Sequence, residues 1–345
     1  MRYALDPVTA ECPACTAEAA ERLYTCTAEE VAQHFVAREV EPARHEALRA
    51  HLTALWSGST CRMVRCKACG LGFADPFVAG DHTFYDLAFP PQYNYPQHRW
   101  EFGRSRDALD VVLGAEGWKD VRLLEVGGGD GAFLRHIVPS RMTPDRVVEL
   151  EVSSGALANV RAMGVTALDA DVRTLGPEHD GRYGVACFFQ CFLHFDRFDT
   201  VLDAVSRVTT PGARLFISVP NLGRITFGEL NGALMDYPPM QATRWTREAF
   251  AALAGRTGWR LVAHEVEPER ALPRIGAFVA DVYRRNRQRP GSIENWAERL
   301  GPGRARTLAR AALAATNLVR RAPTLAALVR DPNLAASQWA MFEKA

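Results

Sequence analysis

The chain has 345 residues, 23% charged and 48% apolar, with a formal net charge of +1. So even a balance gives no global attraction for nucleic acid or another polyanion, and no apolar run reaches the roughly 18 residues that span a bilayer. The length suits two domains, or one domain with large additions. The first residues show no basic-then-apolar leader, so the expectation is a cytoplasmic enzyme with neither nucleic-acid nor membrane partner, its oligomeric state open.

Six of the eight cysteines lie in the first 69 residues. Cys12-Pro-Ala-Cys15 and Cys66-Lys-Ala-Cys69 form two C-x-x-C pairs, and in a reducing compartment such pairs point to a metal rather than to disulfides. Each pair supplies two thiolates of a tetrahedral zinc site, and four thiolates leave no open position, so the zinc would be structural. Cys26 and Cys61 are possible substitutes for a ligand. The insert between the pairs reads as two helices, with Val31, Phe35, Leu48, Leu52, Leu55 and Trp56 at helical intervals and Pro42 opening the second. Residues 1–80 are therefore expected to form a metal-stapled module.

Residues 70–104 are rich in Pro, Gly and aromatics and read as a long irregular connector. Its Tyr85, Tyr93, Tyr95 and Trp100 either line a cleft or glue the module to the main domain. After a helix over 104–117 comes VRLLEVGGGDGAFLRHIV, residues 121–138: an apolar strand, a glycine cluster and an amphipathic helix. Gly127, Gly129 and Ala132 fit the loose dinucleotide fingerprint, which leaves a nicotinamide-dependent oxidoreductase as an alternative. Glu125 at the strand's end argues against it, since a carboxylate beside a pyrophosphate is repulsive and beside a cation is favourable.

With Glu125, Gly127, Gly129 and Gly131 in place, the stretch resembles the first motif of class I S-adenosylmethionine (SAM) methyltransferases. The phrase C-x-x-C-G-L-x-F-x-x-P before it resembles the N-terminal arm of a bacterial small-molecule group within that family. The resemblance implies an α/β fold: a Rossmann-like seven-stranded sheet with an N-terminal zinc-knuckle and helical module and a C-terminal helical insertion. It also implies SAM as cofactor, with Glu125 and the glycines at the methionine end.

A second strand, 146–152, ends at Glu151, 24 residues after Gly127. An acidic residue there accepts hydrogen bonds from ribose hydroxyls. Alternation puts Glu149 on the same face, so Glu149 remains the second choice. Ser153 is expected to cap the helix 154–163. A third strand, 165–168, runs to Asp171, where the family places an acidic residue at the adenine; Asp169 is the runner-up. The fourth strand, 183–190, leads through Gln190 into Cys191-Phe192-Leu193-His194, the position of the family's L-x-H turn. Ligands of open α/β sheets lie beyond the C-terminal strand ends, so Gln190 to His194 should line the cleft. His194 is the general-base candidate, with a backbone-bonded, turn-shaping histidine as the other reading.

A helix over 197–208 and a strand over 214–219 come after this turn. Residues 221–244 read as a loop over the cleft, carrying Asp236-Tyr237-Pro238-Pro239, which resembles a segment of related enzymes and makes Tyr237 a second catalytic candidate. A helix capped by Thr246 and a sixth strand from Gly258 come next. The seventh strand is expected at 335–343 rather than at 274–288, whose apolar spacing is helical.

The division expected is 1–80, the SAM-binding domain 81–268, a helical cap 269–333 and a final strand 334–345. From Arg270 to Asn333 the cap holds 13 arginines and no lysine against four acidic residues, 13 − 4 = +9. That excess points to a small acceptor that is anionic, phosphate-bearing or carrier-linked. The expected activity is methyl transfer to an O, N or C atom of such a metabolite, with an RNA methyltransferase and a non-catalytic binding protein as alternatives.

Overall fold

The computed structural model describes residues 3–89, 95–233, 235–289, 291–301 and 303–345. Tyr93 lies outside the described residues. The chain opens with β1 (Asp6–Thr9), β2 (Ala19–Thr27), α1 (Ala28–Phe35), α2 (Pro42–Leu55), β3 (Thr60–Cys66) and β4 (Gly72–Asp75). Thr27 and Glu30 make a reciprocal capping box at α1, and Pro42 starts α2. Then come α3 (His82–Ala88), α4 (Trp100–Gly117), β5 (Leu123–Val126), β6 (Val147–Leu150), α5 (Ser154–Ala162), β7 (Thr166–Leu168), β8 (Tyr183–Phe189), α6 (Phe198–Val208) and β9 (Thr209–Pro220). The remainder is α7 (Leu222–Leu230), β10 (Thr243–Arg244), α8 (Arg247–Arg256), β11 (Trp259–Val266), four helices α9 (Ala271–Arg287), α10 (Ile293–Arg299), α11 (Arg304–Arg320) and α12 (Ala322–Arg330), and β12 (Ser337–Lys344).

The larger sheet has seven strands in the order β11-β12-β9-β8-β5-β6-β7. Strands β5 to β9 pair in parallel, and β12 runs antiparallel between β9 and β11. Its seventh strand is the one expected near residue 335. β5 and β6 are buried at every residue, as befits strands covered on both faces. Leu124, Val126, Val148 and Phe188 pack toward α6, α8 and the cysteine module. Leu123, Val147, Val185 and Phe189 pack toward Phe102 and Leu109 of α4 and Leu157 of α5.

The structure corrects four expectations. Residues 70–104 are not irregular throughout: they hold β4, α3 and the first residues of α4. The amphipathic segment after the glycines makes only a 3-10 turn, Leu134–His136, not an α-helix. Pro139 lacks a donor and restricts Val138, which stops the helix after one turn. Residues 221–244 are not a loop throughout. Asn221 caps α7 by accepting from the Gly223 amide, and Thr243–Arg244 pairs with β4 as the edge of the smaller sheet, β1-β2-β3-β4-β10. Ser153 stands at the head of α5 but its side chain makes no cap bond. Glu151 Oε1 accepts from the amides of Val152 and Ser153 instead, at 2.8 and 2.9 Å.

Arg244 is fully buried and makes a two-toothed pair with Glu229 of α7, at 2.7 and 2.6 Å. Tyr3 donates to the same carboxylate and Tyr24 of β2 accepts from the guanidinium, both at 2.7 Å. This network fastens α7 to the smaller sheet.

Candidate active site

Beyond the C-terminal ends of β5 and β6 the chain turns sharply at Gly127–Gly131. The Gly127 amide donates to the Leu150 carbonyl at 2.7 Å, tying the turn to β6. At Gly128 a Cβ would stand 2.7 Å from the carboxyl carbons of both Glu125 and Glu149, so only glycine fits over these two acids. At Gly129 the backbone is left-handed and the Tyr95 ring lies 2.5 Å from where a Cβ would be. The Gly129 amide donates to Glu151 Oε2 at 2.9 Å. Glu151 thus faces the turn, and Tyr95 lies over Gly129.

The turn covers a concentration of carboxylates. Glu125 and Glu149 are buried, and neither Glu125 Oε2 nor either oxygen of Glu149 has a hydrogen-bond partner among the described residues. The buried Asp130 Oδ1 is also without one. Burial, with the nearby charge of Glu151, pushes the Glu125 carboxyl up to about 8. Burial, with the charges of Glu125 and Glu151, pushes Glu149 up to about 10. Buried carboxylate oxygens without donors call for a cation or a hydroxyl from a ligand.

The other residues singled out in the sequence sit around this turn. Cys191 reaches across from the end of β8, its Sγ 3.0 Å from where a Gly127 Cβ would be. Gln190 has a left-handed backbone, and its amide Nε2 donates to Glu101 at 2.9 Å and to Ser337 at 2.5 Å. Glu101 also accepts from Ser218 and Ser337, at 3.2 Å each. Glu101, Ser218 and Ser337 come from α4, β9 and β12, and no sequence spacing marks them as a group. Trp100, at the start of α4, packs against the core on that side.

His194 Nδ1 and the Tyr85 hydroxyl are 2.8 Å apart, and the Met240 backbone also bonds the ring. Burial lowers the imidazole to about 4, so it is neutral at physiological pH. Burial likewise raises the Tyr85 phenol. Tyr237 packs edge-on to His34, 5.2 Å between centroids, and to Tyr24 at 6.3 Å. Its carbonyl accepts from the Gln241 amide at 3.0 Å, and the buried Gln241 Oε1 has no partner among the described residues. Asp171 lies just past β7 but is taken up locally. Arg173 bonds both its oxygens, at 2.9 and 2.7 Å, and the Arg173 amide adds a third bond at 2.8 Å. Burial would raise this carboxyl, but the Arg173 bonds outweigh it and hold it below the usual range. Asp169, the runner-up, is exposed.

In the N-terminal module the Sγ atoms of Cys12, Cys15, Cys66 and Cys69 all lie within 4.8 Å of one another. Cys12 and Cys69 are 3.6 Å apart, Cys15 and Cys66 3.5 Å. The other early pair, Cys26 and Cys61, stands opposite across β2 and β3, outside this cluster.

Residues 97–264 match the family described as "Methyltransferase domain". The strand order, with an antiparallel seventh strand slotted between the fifth and sixth, is that of the class I sheet. Residues 97–264 carry a methyltransferase domain on a sheet of the class I SAM-dependent type. That methyltransferase domain is similar to several solved structures. A SAM-dependent methyltransferase from Archaeoglobus fulgidus is 14% identical at a TM-score of 0.44, over 71% of this chain and 92% of that one. The [4+2]-cyclase SpnF is 16% identical at a TM-score of 0.43, over 92% and 97%. Phosphoethanolamine N-methyltransferase 2 of Haemonchus contortus, in complex with SAM, is 17% identical at a TM-score of 0.41, over 70% and 51%. No curated protein matches the sequence. No helix among the described residues is long and apolar enough to cross a membrane.

Proposed function

We propose that the chain transfers a methyl group from SAM to an O, N or C atom of a small metabolite, one that is anionic or carrier-linked. The observation that carries this reading is the set of donor-less carboxylate oxygens of Glu125 and Glu149 beneath a glycine turn that no side chain could share. In the empty site these carboxyls are held protonated near neutral pH; an incoming ammonium or sulfonium favours their ionised form and is attracted by it, whereas a dinucleotide pyrophosphate would oppose that ionisation. The +9 balance of the cap supports an anionic acceptor.

SAM, when bound, brings a methyl group on a sulfonium that is already a good electrophile. The protein's share is alignment and proton handling. Glu125, with Gly127, Gly129 and Gly131, holds the methionine end, and Glu151 gives up its Gly129 bond to accept from the ribose. Tyr95 moves off Gly129 or stacks on what enters. Gln190, braced by Glu101, forms the wall at the end of β8. Asp171 serves the adenine edge only if Arg173 swings aside. His194, neutral and fixed by Tyr85 and Met240, accepts the acceptor's proton or holds the turn for it, and Tyr237 closes the far side.

We also assign a structural zinc to Cys12, Cys15, Cys66 and Cys69. Zinc–sulfur bonds of about 2.3 Å in a tetrahedron place sulfurs about 3.8 Å apart, close to the 3.5 and 3.6 Å found here.

The test is calorimetric titration of S-adenosylhomocysteine, with NADH as the competing ligand. Binding of the former, weakened about tenfold or more in Glu151→Ala, is the expected result; each hydrogen bond to a charged group is worth about 1.5–3 kcal/mol. Binding of NADH alone would overturn the reading.

A further inference from the structure

The cap contains a second place built for a ligand. An open groove of about 560 Å³ lies where the end of α9 meets the start of α10 and the junction of α11 with α12. Arg289, Arg320 and Arg321 line it, with Ser292, Glu294 and Asn317. Arg289 and Arg320 are exposed and meet no carboxylate among the described residues. Glu294 is turned to Asn286, whose Nδ2 donates to it at 2.9 Å. Asn317 is only 8% exposed, and its Nδ2 has no hydrogen-bond partner among the described residues. A buried amide donor left over beside three guanidiniums asks for an acceptor from outside.

Positive charge is concentrated here. Burial, reinforced by the neighbouring charges of Arg289 and Arg321, lowers Arg285 below its usual range. Guanidiniums are planar forks that match the oxygens of a phosphoryl group. The groove is larger than one phosphate, so it leaves room for an organic group attached to it. Arg285 and Arg321 also donate to the carbonyls of Ala233 and Asn231. These begin the 231–241 stretch that carries Tyr237 and ends beside His194.

We propose that this groove is a phosphoryl-binding site, in which Arg289 and Arg320 clasp the oxygens and Asn317 Nδ2 donates from the floor. The phosphoryl group is the handle of a phosphorylated ligand or free phosphate itself. The handle arm rests on the methyl-transfer reading; the site does not.

The test is calorimetry on the full chain with inorganic phosphate, inorganic pyrophosphate and uridine diphosphate, each at low and physiological salt. Uridine diphosphate binding more tightly than inorganic phosphate supports the handle, and equal binding supports the free anion. The exposed pair Arg289→Ala/Arg320→Ala should weaken binding about tenfold or more, and Asn317→Leu should weaken it with the charge unchanged. The pair Arg289→Lys/Arg320→Lys should recover only part, because lysine cannot grip two oxygens at once. No binding of any of the three at millimolar concentration overturns the site, as does binding unaltered by the substitutions. S-adenosylhomocysteine is titrated on the same samples. Its binding without any anion binding overturns this proposal alone, and anion binding without it overturns the cofactor reading alone.

Discussion

Glu149 holds both carboxylate oxygens in a buried place with no donor among the described residues, and its carboxyl is raised to about 10. A carboxyl raised above its unfolded value near 4.5 contributes stability that is complete below that value and is lost as pH rises toward the raised one. The ligand-free protein should therefore lose stability between about pH 5 and pH 9, with Glu125, raised to about 8, adding to the slope. Glu149→Gln cannot ionise, so its melting temperature should match the parent near pH 5 and exceed it by several degrees at pH 9, at roughly 2–4 °C per kcal/mol. Calorimetric scans across that range check this, and equal slopes in parent and variant would contradict it. At this scale the sequence was legible where chemistry sat on one strand end, as at Glu125, the glycines and Glu151. It was silent on Glu101, Ser218 and Ser337, which meet only because α4, β9 and β12 converge. Position alone points to Asp171, and position does not show that Arg173, two residues on, already holds it.

At the level of elements, the joint between α7 and β10 is a buried ion pair. Removing one partner strands the other's charge, at a cost of about 3–5 kcal/mol. Arg244→Met is expected to lower the unfolding free energy in urea by that amount, while Arg244→Met/Glu229→Leu should recover much of it, because a buried pair replaced by apolar groups is often neutral. A double variant no better than the single one would show that packing, not stranded charge, sets the loss. This joint also explains why 221–244 reads as one loop. Its helix is nine residues with a mixed pattern, and its strand is two residues long and pairs with β4, some 170 positions earlier. Neither length gives a periodicity to detect. Tyr183–Phe189 is legible for the opposite reason, being buried at all but one position and reading as an apolar run, whereas the half-polar Ser337–Lys344 is found only because the sheet needs a seventh strand and 274–288 has helical spacing.

Across the whole molecule, the cysteine module and the catalytic sheet share one core. Cys12, Cys66, Cys69 and Leu71 belong to the same buried cluster as Trp245, Phe250 and Val126. The Cys69 carbonyl accepts from Thr246 at 2.6 Å and the Ala14 carbonyl from Arg256 at 2.9 Å, so the head and tail of α8 grip the knuckle. Stripping zinc with a chelator, or Cys66→Ser, should therefore lower the melting temperature of the protein in a single transition. An early transition with the rest unmoved would show that the module unfolds by itself. The C-x-x-C spacing points to the four cysteines that the fold brings together, but nothing in the spacing shows that α8 clasps them.

The placement of β12 has a further consequence. It follows every other strand among the described residues in sequence, yet it occupies an interior slot, hydrogen-bonded to β9 on one side and β11 on the other. Until residues 337–344 emerge, β9 has no neighbour on its outer edge and β11 has no sheet to join. Those exposed ribbons of unpaired amides are open to pairing with other chains. Assembly of the seven-stranded sheet thus waits for residues 337–344, and a ribosome stalled just short of Ser337 holds a product prone to clump rather than a slightly shortened enzyme.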